Sequence, residues 1–273
     1  MVMELNSKFS DIIYSVKDKK PLIHHITNYV TANDCANIVL AFGGRPVMAD
    51  SPLEVEEFTS MASALVINTG TLSKEKLDSF LLAGKKANEL GIPVVLDPVG
   101  VGASNFRNNA VNKILKEVKL SVLRGNMSEI KNIYGIKTFT RGVDSLEGSV
   151  EEGQEISKEL AKRLNTTVAI SGKVDIISNG DKTYTLHNGC EELLNLTGTG
   201  CMTSSLIACC CGVEGESIYG AIAGLSIMSI SGEKALSLLK AEQGLGSFRV
   251  YLIDSVSNFS TEDFNKRSKI NEI

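Results

Sequence analysis

Ala64-Leu65-Val66-Ile67-Asn68-Thr69-Gly70-Thr71 is an apolar run that ends abruptly in polar residues and a glycine. A strand that is apolar on both faces has no solvent side, the mark of a parallel sheet covered by helices on both faces. The following residues fit that reading. Residues 72–90 have amphipathic helical spacing and stop at Gly91. Ile92-Pro93-Val94-Val95-Leu96-Asp97-Pro98 repeats the strand, with Asp97 at its carboxyl end.

The pattern extends in both directions. Toward the N-terminus, Leu5, Phe9, Ile12, Ile13 and Val16 give residues 4–18 a helical stripe. Residues 21–31 start as a strand and end polar, with Asn28 and Thr31 suited to a small polar ligand. His24 and His25 are adjacent, so on a strand they face opposite sides and do not share a metal. A helix over 31–42 ends at Gly43-Gly44, a short strand covers 45–50, and Ser51-Pro52 opens a further helix with Glu54, Glu56 and Glu57 in its first turns.

Toward the C-terminus, Gly100 and Gly102 break the chain before a helix over 109–117. A strand over 120–126 ends in Arg124 and Asn126, and Met127-Ser128-Glu129-Ile130 starts a short helix. Residues 138–153 are polar and glycine-containing, which predicts a surface excursion. A helix over 156–164 and a buried strand over 167–172 follow. Residues 174–178 and 182–187 then flank Asn179-Gly180, a hairpin signal. Helices over 200–211 and 217–239 come next, where Gly220, Gly224 and Gly232 predict close helix packing. A last element runs from Gly244 to about Phe259, and the polar tail 265–273 is expected to fray. Serial βα units with short connections predict one α/β domain over 1–273, doubly wound around a mostly parallel sheet with an antiparallel edge hairpin.

In such sheets ligands bind beyond the carboxyl ends of the strands. Asn68, Asp97, Arg124 with Asn126, and Ser171 all end strands and converge on one crevice. Asn195-Leu196-Thr197-Gly198-Thr199-Gly200-Cys201-Met202 is expected to join them. Gly198 and Gly200 permit a tight approach, and the helix behind them presents unpaired N–H groups that favour an anion. Cys201 sits at that positive helix end, where a thiol pKa is expected to fall.

Composition narrows the chemistry. The 273 residues are 43% hydrophobic and 22% charged, with 28 basic against 32 acidic side chains and a net charge of −4. No basic cluster points to nucleic acid, no apolar run is long enough for a membrane, and the first twenty residues lack the apolar core of a signal peptide. A cytoplasmic protein is expected. Of six cysteines three are consecutive and none forms a CxxC pair, which disfavours a disulfide framework or a zinc site.

An anion hole, an arginine and two acids, Asp97 and Glu129, make a phosphoryl-transfer set. The two carboxylates suit Mg²⁺, and Arg124 suits a phosphate. The chain has neither a Walker A motif nor the protein-kinase motifs. Taken singly, Asp97 before Pro98 caps a turn, Arg124 makes an ion pair and Glu129 is a solvated helix residue. Their joint placement at strand ends argues for a site.

The segments PLIHHITNYVTAND, GGRPVMADSPLE, ALVINTGTLS, GIPVVLDPVGVGAS, RGNMSEI, TLHNG and TGTGCMTSSLIA closely resemble the hydroxyethylthiazole kinase family of the ribokinase-like superfamily, from about Pro21 to Phe248. The resemblance implies phosphorylation of the hydroxyl of 4-methyl-5-(2-hydroxyethyl)thiazole by ATP and Mg²⁺, salvaging the thiazole half of thiamine. It implies that Cys201 stands where the superfamily carries an aspartate base, and that the amides from Gly198 through Gly200 to Cys201 form the anion hole. Met48 and Gly198 match substrate contacts, with Asn28 and Gly70 lining the same pocket. Arg124 and Ser171 match ATP contacts, Asn126 lies with them, and Asp97 and Glu129 match the magnesium-side acids. Ser171 replaces a frequent threonine and keeps the hydroxyl, and Thr199 replaces a frequent alanine. The family forms trimers with active sites at subunit interfaces, so Asn28 and Met48 are expected to reach a neighbour's site. Within the same fold a hydrate dehydratase, a non-catalytic thiazole or nucleotide sensor, and kinases of other vitamin alcohols are the alternatives.

Overall fold

The computed structural model describes residues 2–136 and 149–273. In chain order the first half comprises α1 (Val2–Lys19), β1 (Leu22–Ile26), α2 (Ala32–Phe42), β2 (Arg45–Val47), α3 (Val55–Met61), β3 (Ala64–Asn68), α4 (Lys74–Leu90), β4 (Val94–Asp97), α5 (Asn105–Glu117), β5 (Val122–Asn126) and α6 (Met127–Tyr134). The second half comprises α7 (Val150–Leu164), β6 (Thr167–Ser171), β7 (Asp175–Ser178), β8 (Thr183–Leu186), α8 (Glu192–Asn195), α9 (Thr199–Cys211), α10 (Ser217–Leu238), α11 (Leu245–Ser257), α12 (Thr261–Arg267) and β9 (Ile270–Glu272).

The described strands make one sheet in the order β2-β1-β3-β4-β5-β6-β7-β8-β9. Pairing is parallel from β2 through β6 and antiparallel from β6 to β9. Alternation along each central strand explains the unbroken apolar runs. Ala64, Val66, Val95 and Ala169 face a core built with α1, α2, α9, α10, α11 and α12. Leu65, Ile67, Val94, Leu96 and Ile170 face a second core built with α4 to α7. Each large aliphatic side chain buried this way contributes about 1.5–3 kcal/mol before entropy is counted. Gly224 lets α10 touch α9: a Cβ there would lie 2.5 Å from the Ile207 nitrogen.

Several boundaries differ from the sequence expectations. α5 begins four residues earlier than residue 109, because the Ser104 side chain accepts a bond from the Arg107 N–H and caps the helix. Ser51-Pro52 forms a turn rather than the start of α3: the Ser51 carbonyl accepts from the N–H groups of both Glu54 and Val55 at 3.1 Å. Of the predicted excursion 138–153, residues 138–148 lie outside the described residues. Ser149 caps α7, and Gly153 is buried inside that helix against Ile176 and Met127.

The tail is ordered. Ser260 and Asp263 form a capping box for α12, and β9 then pairs with β8. The hairpin of β7 and β8 forms the antiparallel edge region of the sheet, and β9 adds one further antiparallel strand to it. No described helix is long and apolar enough to cross a membrane.

Candidate active site

Parallel register places the polar strand ends side by side. Asn68 pairs with Asp97 across β3 and β4, and Asn126 with Ser171 across β5 and β6. The N-terminus of α9 approaches the same ends from the other side.

Asn68 is the centre of the network. Its Oδ1 accepts from the Gly70 N–H at 2.9 Å and from Asn28 Nδ2 at 3.0 Å. Its Nδ2 donates to Asp97 Oδ2 at 3.0 Å and to Cys201 Sγ at 3.2 Å. Asn28 is held the same way: its Oδ1 accepts from the Thr31 N–H at 3.0 Å, and its Nδ2 also faces Cys201 Sγ at 3.5 Å. Backbone N–H groups can only donate, so they fix which end of each amide carries oxygen. The sulfur of Cys201 therefore receives two amide donors.

Asp97 is fully buried at the end of β4. Its Oδ2 accepts from Asn68 and from Ser204 Oγ at 2.8 Å, and lies 3.7 Å from Arg124 Nη1. Its Oδ1 is buried without a partner among the described residues. Burial pushes the Asp97 carboxyl above the usual range, opposed by Arg124, Ser204 and Asn68. Glu129 is pushed up as well, by burial and then by the charge of Asp97. Glu129 is also a structural brace rather than a solvated helix residue. Its Oε2 accepts from the Asn126 N–H at 2.9 Å and its Oε1 from the Gly100 N–H at 3.0 Å. Asn126 returns the bond, its Oδ1 accepting from the Glu129 N–H at 2.9 Å, so its side chain is engaged as a helix cap.

Arg124 donates from Nη2 to Ser171 Oγ at 2.6 Å, and its Nε is buried without a partner among the described residues. Gly200 lets the guanidinium reach the helix end, since a Cβ there would lie 2.8 Å from Nη1. Gly198 caps α9 in the left-handed region at φ 93°, and a Cβ on it would lie 2.9 Å from Thr31 Cγ2. Among the described residues no side chain caps α9, and the first intrahelical bond runs from the Met202 N–H to the Gly198 carbonyl at 2.8 Å. The amides of Thr199, Gly200 and Cys201 thus precede the helical ladder and favour an anion beside Arg124.

The expected fall of the Cys201 pKa is overturned. Burial pushes the thiol above its ordinary value, and the charge of Asp97 pushes in the same direction. Desolvation of the thiolate and repulsion by a carboxylate outweigh the Thr31 hydroxyl, Arg124 and the Asn68 donor.

Asn28, Gly70, Asp97, Arg124, Asn126, Glu129, Ser171, Gly198, Gly200 and Cys201 gather at this crevice. Met48 follows β2 at the sheet edge, half-buried, with β1 between its strand and β3. The two histidines face opposite sides of β1. His24 bonds Thr59 Oγ1 and the Ala49 carbonyl, whereas His25 bonds the Ile23 carbonyl and Ser205 Oγ.

Sequence reading missed Ser204, which lies one helical turn beyond Cys201 and whose three-residue offset was the available signal. It also missed Asp175, a buried carboxyl that accepts from the Gly172 N–H at 3.0 Å beside the Ser171 strand end, and Arg107. Nothing local marks either one.

The carboxylates fit a hard cation. Asp97 presents an orphaned buried oxygen with a second carboxylate, Glu129, close by. Among the described residues no group of three or more His, Cys, Asp and Glu side chains is arranged to hold a metal. Two carboxylates suit Mg²⁺, which keeps several waters and takes the remaining oxygens from substrate phosphates.

The profile of the hydroxyethylthiazole kinase family matches residues 13–262. The hydroxyethylthiazole kinase of Alkaliphilus oremlandii is 59% identical over 271 residues, covering 99% of this chain and all of the relative. The solved hydroxyethylthiazole kinase of Pyrococcus horikoshii superposes with a TM-score of 0.89 at 37% identity, covering 98% of this chain and 99% of that one. The pyridoxal kinase of Staphylococcus aureus, solved with AMP-PCP and pyridoxal, superposes with a TM-score of 0.65 at 13% identity over 93% of this chain and 99% of that one, a likeness of ribokinase-like fold alone.

Proposed function

This chain belongs to the hydroxyethylthiazole kinase family, and on that premise we propose that it transfers the γ-phosphoryl group of ATP to the hydroxyl of 4-methyl-5-(2-hydroxyethyl)thiazole in a Mg²⁺-dependent reaction that salvages the thiazole for thiamine diphosphate. The observation that carries this reading is the uncapped N-terminus of α9 facing Arg124, with the orphaned Asp97 oxygen close by.

The alcohol is placed against Asn28, Gly70 and Gly198, with its oxygen toward Cys201, and Met48 at the sheet edge reaches the site of a neighbouring protomer. The alcohol oxygen bonds to the γ-phosphorus as the bond to the β–γ bridging oxygen breaks, ADP leaves, and the hydroxyl proton passes to the phosphoryl oxygens and from there to solvent. The amides of Thr199, Gly200 and Cys201 take the charge of the moving group, and Arg124 with Ser171 holds the phosphates on the far side. Asp97 and Glu129 would hold Mg²⁺, which when bound neutralises triphosphate charge. Cys201 is placed to orient the hydroxyl. Its raised thiol stays protonated at neutral pH and so is not available as a base, and a loose transition state asks little of one.

A homotrimer with shared sites belongs to the same reading. It is supported by the short edge strand β2 and by the exposed Tyr29, Val30 and Leu53 close to Asn28 and Met48 in sequence. A cytoplasmic location goes with ATP as the donor.

The test is a coupled ATPase assay with hydroxyethylthiazole, with and without Mg²⁺, and mass spectrometry of the product. The expected product is heavier by one phosphoryl group and depends on both thiazole and Mg²⁺. ATP turnover by folded protein without a phosphorylated thiazole overturns the reading.

A further inference from the structure

The chain segments after β3 and β4 carry Gly70 and follow directly on Asn68 and Asp97. One side chain from α5 joins them. Arg107 lies in the first turn of that helix, held there by the cap from Ser104. Its Nη1 donates to the Val99 carbonyl at 2.9 Å and to the Thr69 carbonyl, and its Nη2 donates to the Gly70 carbonyl at 2.6 Å. The stem packs over Gly100, where a Cβ would lie 3.4 Å from Cδ, Nε and Cζ. Gly100 needs its φ of 77° as well as this contact, and its N–H bonds Glu129. One planar fork thus spans main-chain carbonyls of two loops, a geometry that an ammonium group cannot reproduce.

The loop so held has no slack on its pocket side. A Cβ on Gly70 would lie 2.8 Å from Asn28 Cβ, and the Gly70 N–H is tied to Asn68. Without the guanidinium, three carbonyls lose a charged donor and the turn can shift relative to Asn28. Arg124 and Ser171 sit on β5 and β6, and none of the Arg107 bonds reaches them.

We propose that Arg107 is a positioning residue for the alcohol half of the site, pinning Gly70 against Asn28 through the Thr69, Gly70 and Val99 carbonyls. This rests on the reading that Asn28 and Gly70 line the thiazole pocket. The consequence is selective: thiazole recognition depends on Arg107 more than nucleotide binding does, because Arg107 reaches the nucleotide half only through the Gly100 N–H on Glu129.

The experiment compares wild type with Arg107→Ala and Arg107→Lys, after circular dichroism shows native secondary structure. The first readout needs no substrate: hydrogen exchange of residues 68–72 and 98–103 followed by mass spectrometry. Both segments should exchange faster in Arg107→Ala, with Arg107→Lys in between. The second readout is kinetic. Loss of the charged bonds should raise the KM for hydroxyethylthiazole about tenfold in Arg107→Ala. ATP affinity by equilibrium binding should stay within about twofold, since a tenfold change is the size of one lost contact. Added guanidinium should restore part of the thiazole KM in Arg107→Ala. Unchanged exchange in both segments, an unchanged thiazole KM, or an equal loss of ATP and thiazole binding overturns the proposal. If Arg107→Ala does not fold, Arg107→Lys is judged by the same readouts. A wild-type enzyme inactive on thiazole would instead refute the functional reading, and the exchange comparison would still decide whether Arg107 braces these loops.

Discussion

The amide nitrogen of Asn68 lies 3.2 Å from the sulfur of Cys201, and its orientation is set by the main chain. Asn68 Oδ1 takes the Gly70 N–H, so Nδ2 must face both the sulfur and Asp97. One amide thereby bridges the thiol and the carboxylate.

Replacing Asn68 should therefore cost both stability and turnover. Asn68→Ala leaves the Gly70 N–H without an acceptor and the Asn28 amide with only the Cys201 sulfur, and takes donors from Asp97 and Cys201. Each buried unsatisfied group costs about 1–3 kcal/mol. Urea denaturation should show a loss in that range, with kcat falling in the variant that remains folded. A variant with wild-type stability and kcat would remove Asn68 from the site.

Cys201 holds its proton at neutral pH because burial and Asp97 both push its thiol up. Its removal should be tolerated in part. Cys201→Ala is expected to keep measurable turnover, losing less than the roughly 10²-fold at the low end for deleting a general base. Cys201→Asp, which places a carboxylate at the helix end, should match or exceed wild type. Steady-state kcat for the two variants checks this, and a folded but inactive Cys201→Asp would rule out a simple base role.

Two glycine substitutions should fail in different ways. Gly200→Ala places a methyl 2.8 Å from Arg124 Nη1, a movable group, so the guanidinium shifts and the KM for ATP rises while the fold survives. Gly224→Ala places a methyl 2.5 Å from the Ile207 backbone, which cannot yield without separating α9 from α10. Overpacking of that kind costs about 1–3 kcal/mol or more, and the melting temperature should fall accordingly. Thermal unfolding beside ATP kinetics separates the two.

Asp175 gives a pH signature. Burial pushes its carboxyl up to about 7, against the opposing Gly172 N–H, Arg124 and Ser229 hydroxyl. Above about pH 4 the unfolded chain releases this proton, whereas the folded chain keeps it until about 7. The folded state therefore binds more protons in that window, and this group's contribution to stability declines as pH rises through it. Asp175→Asn removes the ionisation and keeps an oxygen for Gly172. Its stability relative to wild type should improve from pH 4 to pH 7 and level off above, measured by urea denaturation at each pH. A flat difference would mean that Asp175 titrates normally.

The sequence by itself determined the layers, the parallel strands, the glycine loop ahead of α9 and the strand ends that meet at the crevice. Those signals are local: a strand apolar on both faces, a helical period, a glycine where a side chain would clash. The tertiary structure alone decided the rest. The tail 265–273 looks polar in isolation but forms β9, because β8 offers an open edge whose backbone groups need partners. Glu129 looks like a free acid but is engaged by the N–H groups of Asn126 and Gly100, one of them 29 residues away. Cys201 sits where a helix end lowers a thiol pKa, yet the surrounding burial and Asp97 raise it. Desolvation and charge coupling are sums over everything packed around a group, so no reading of neighbours along the chain supplies them.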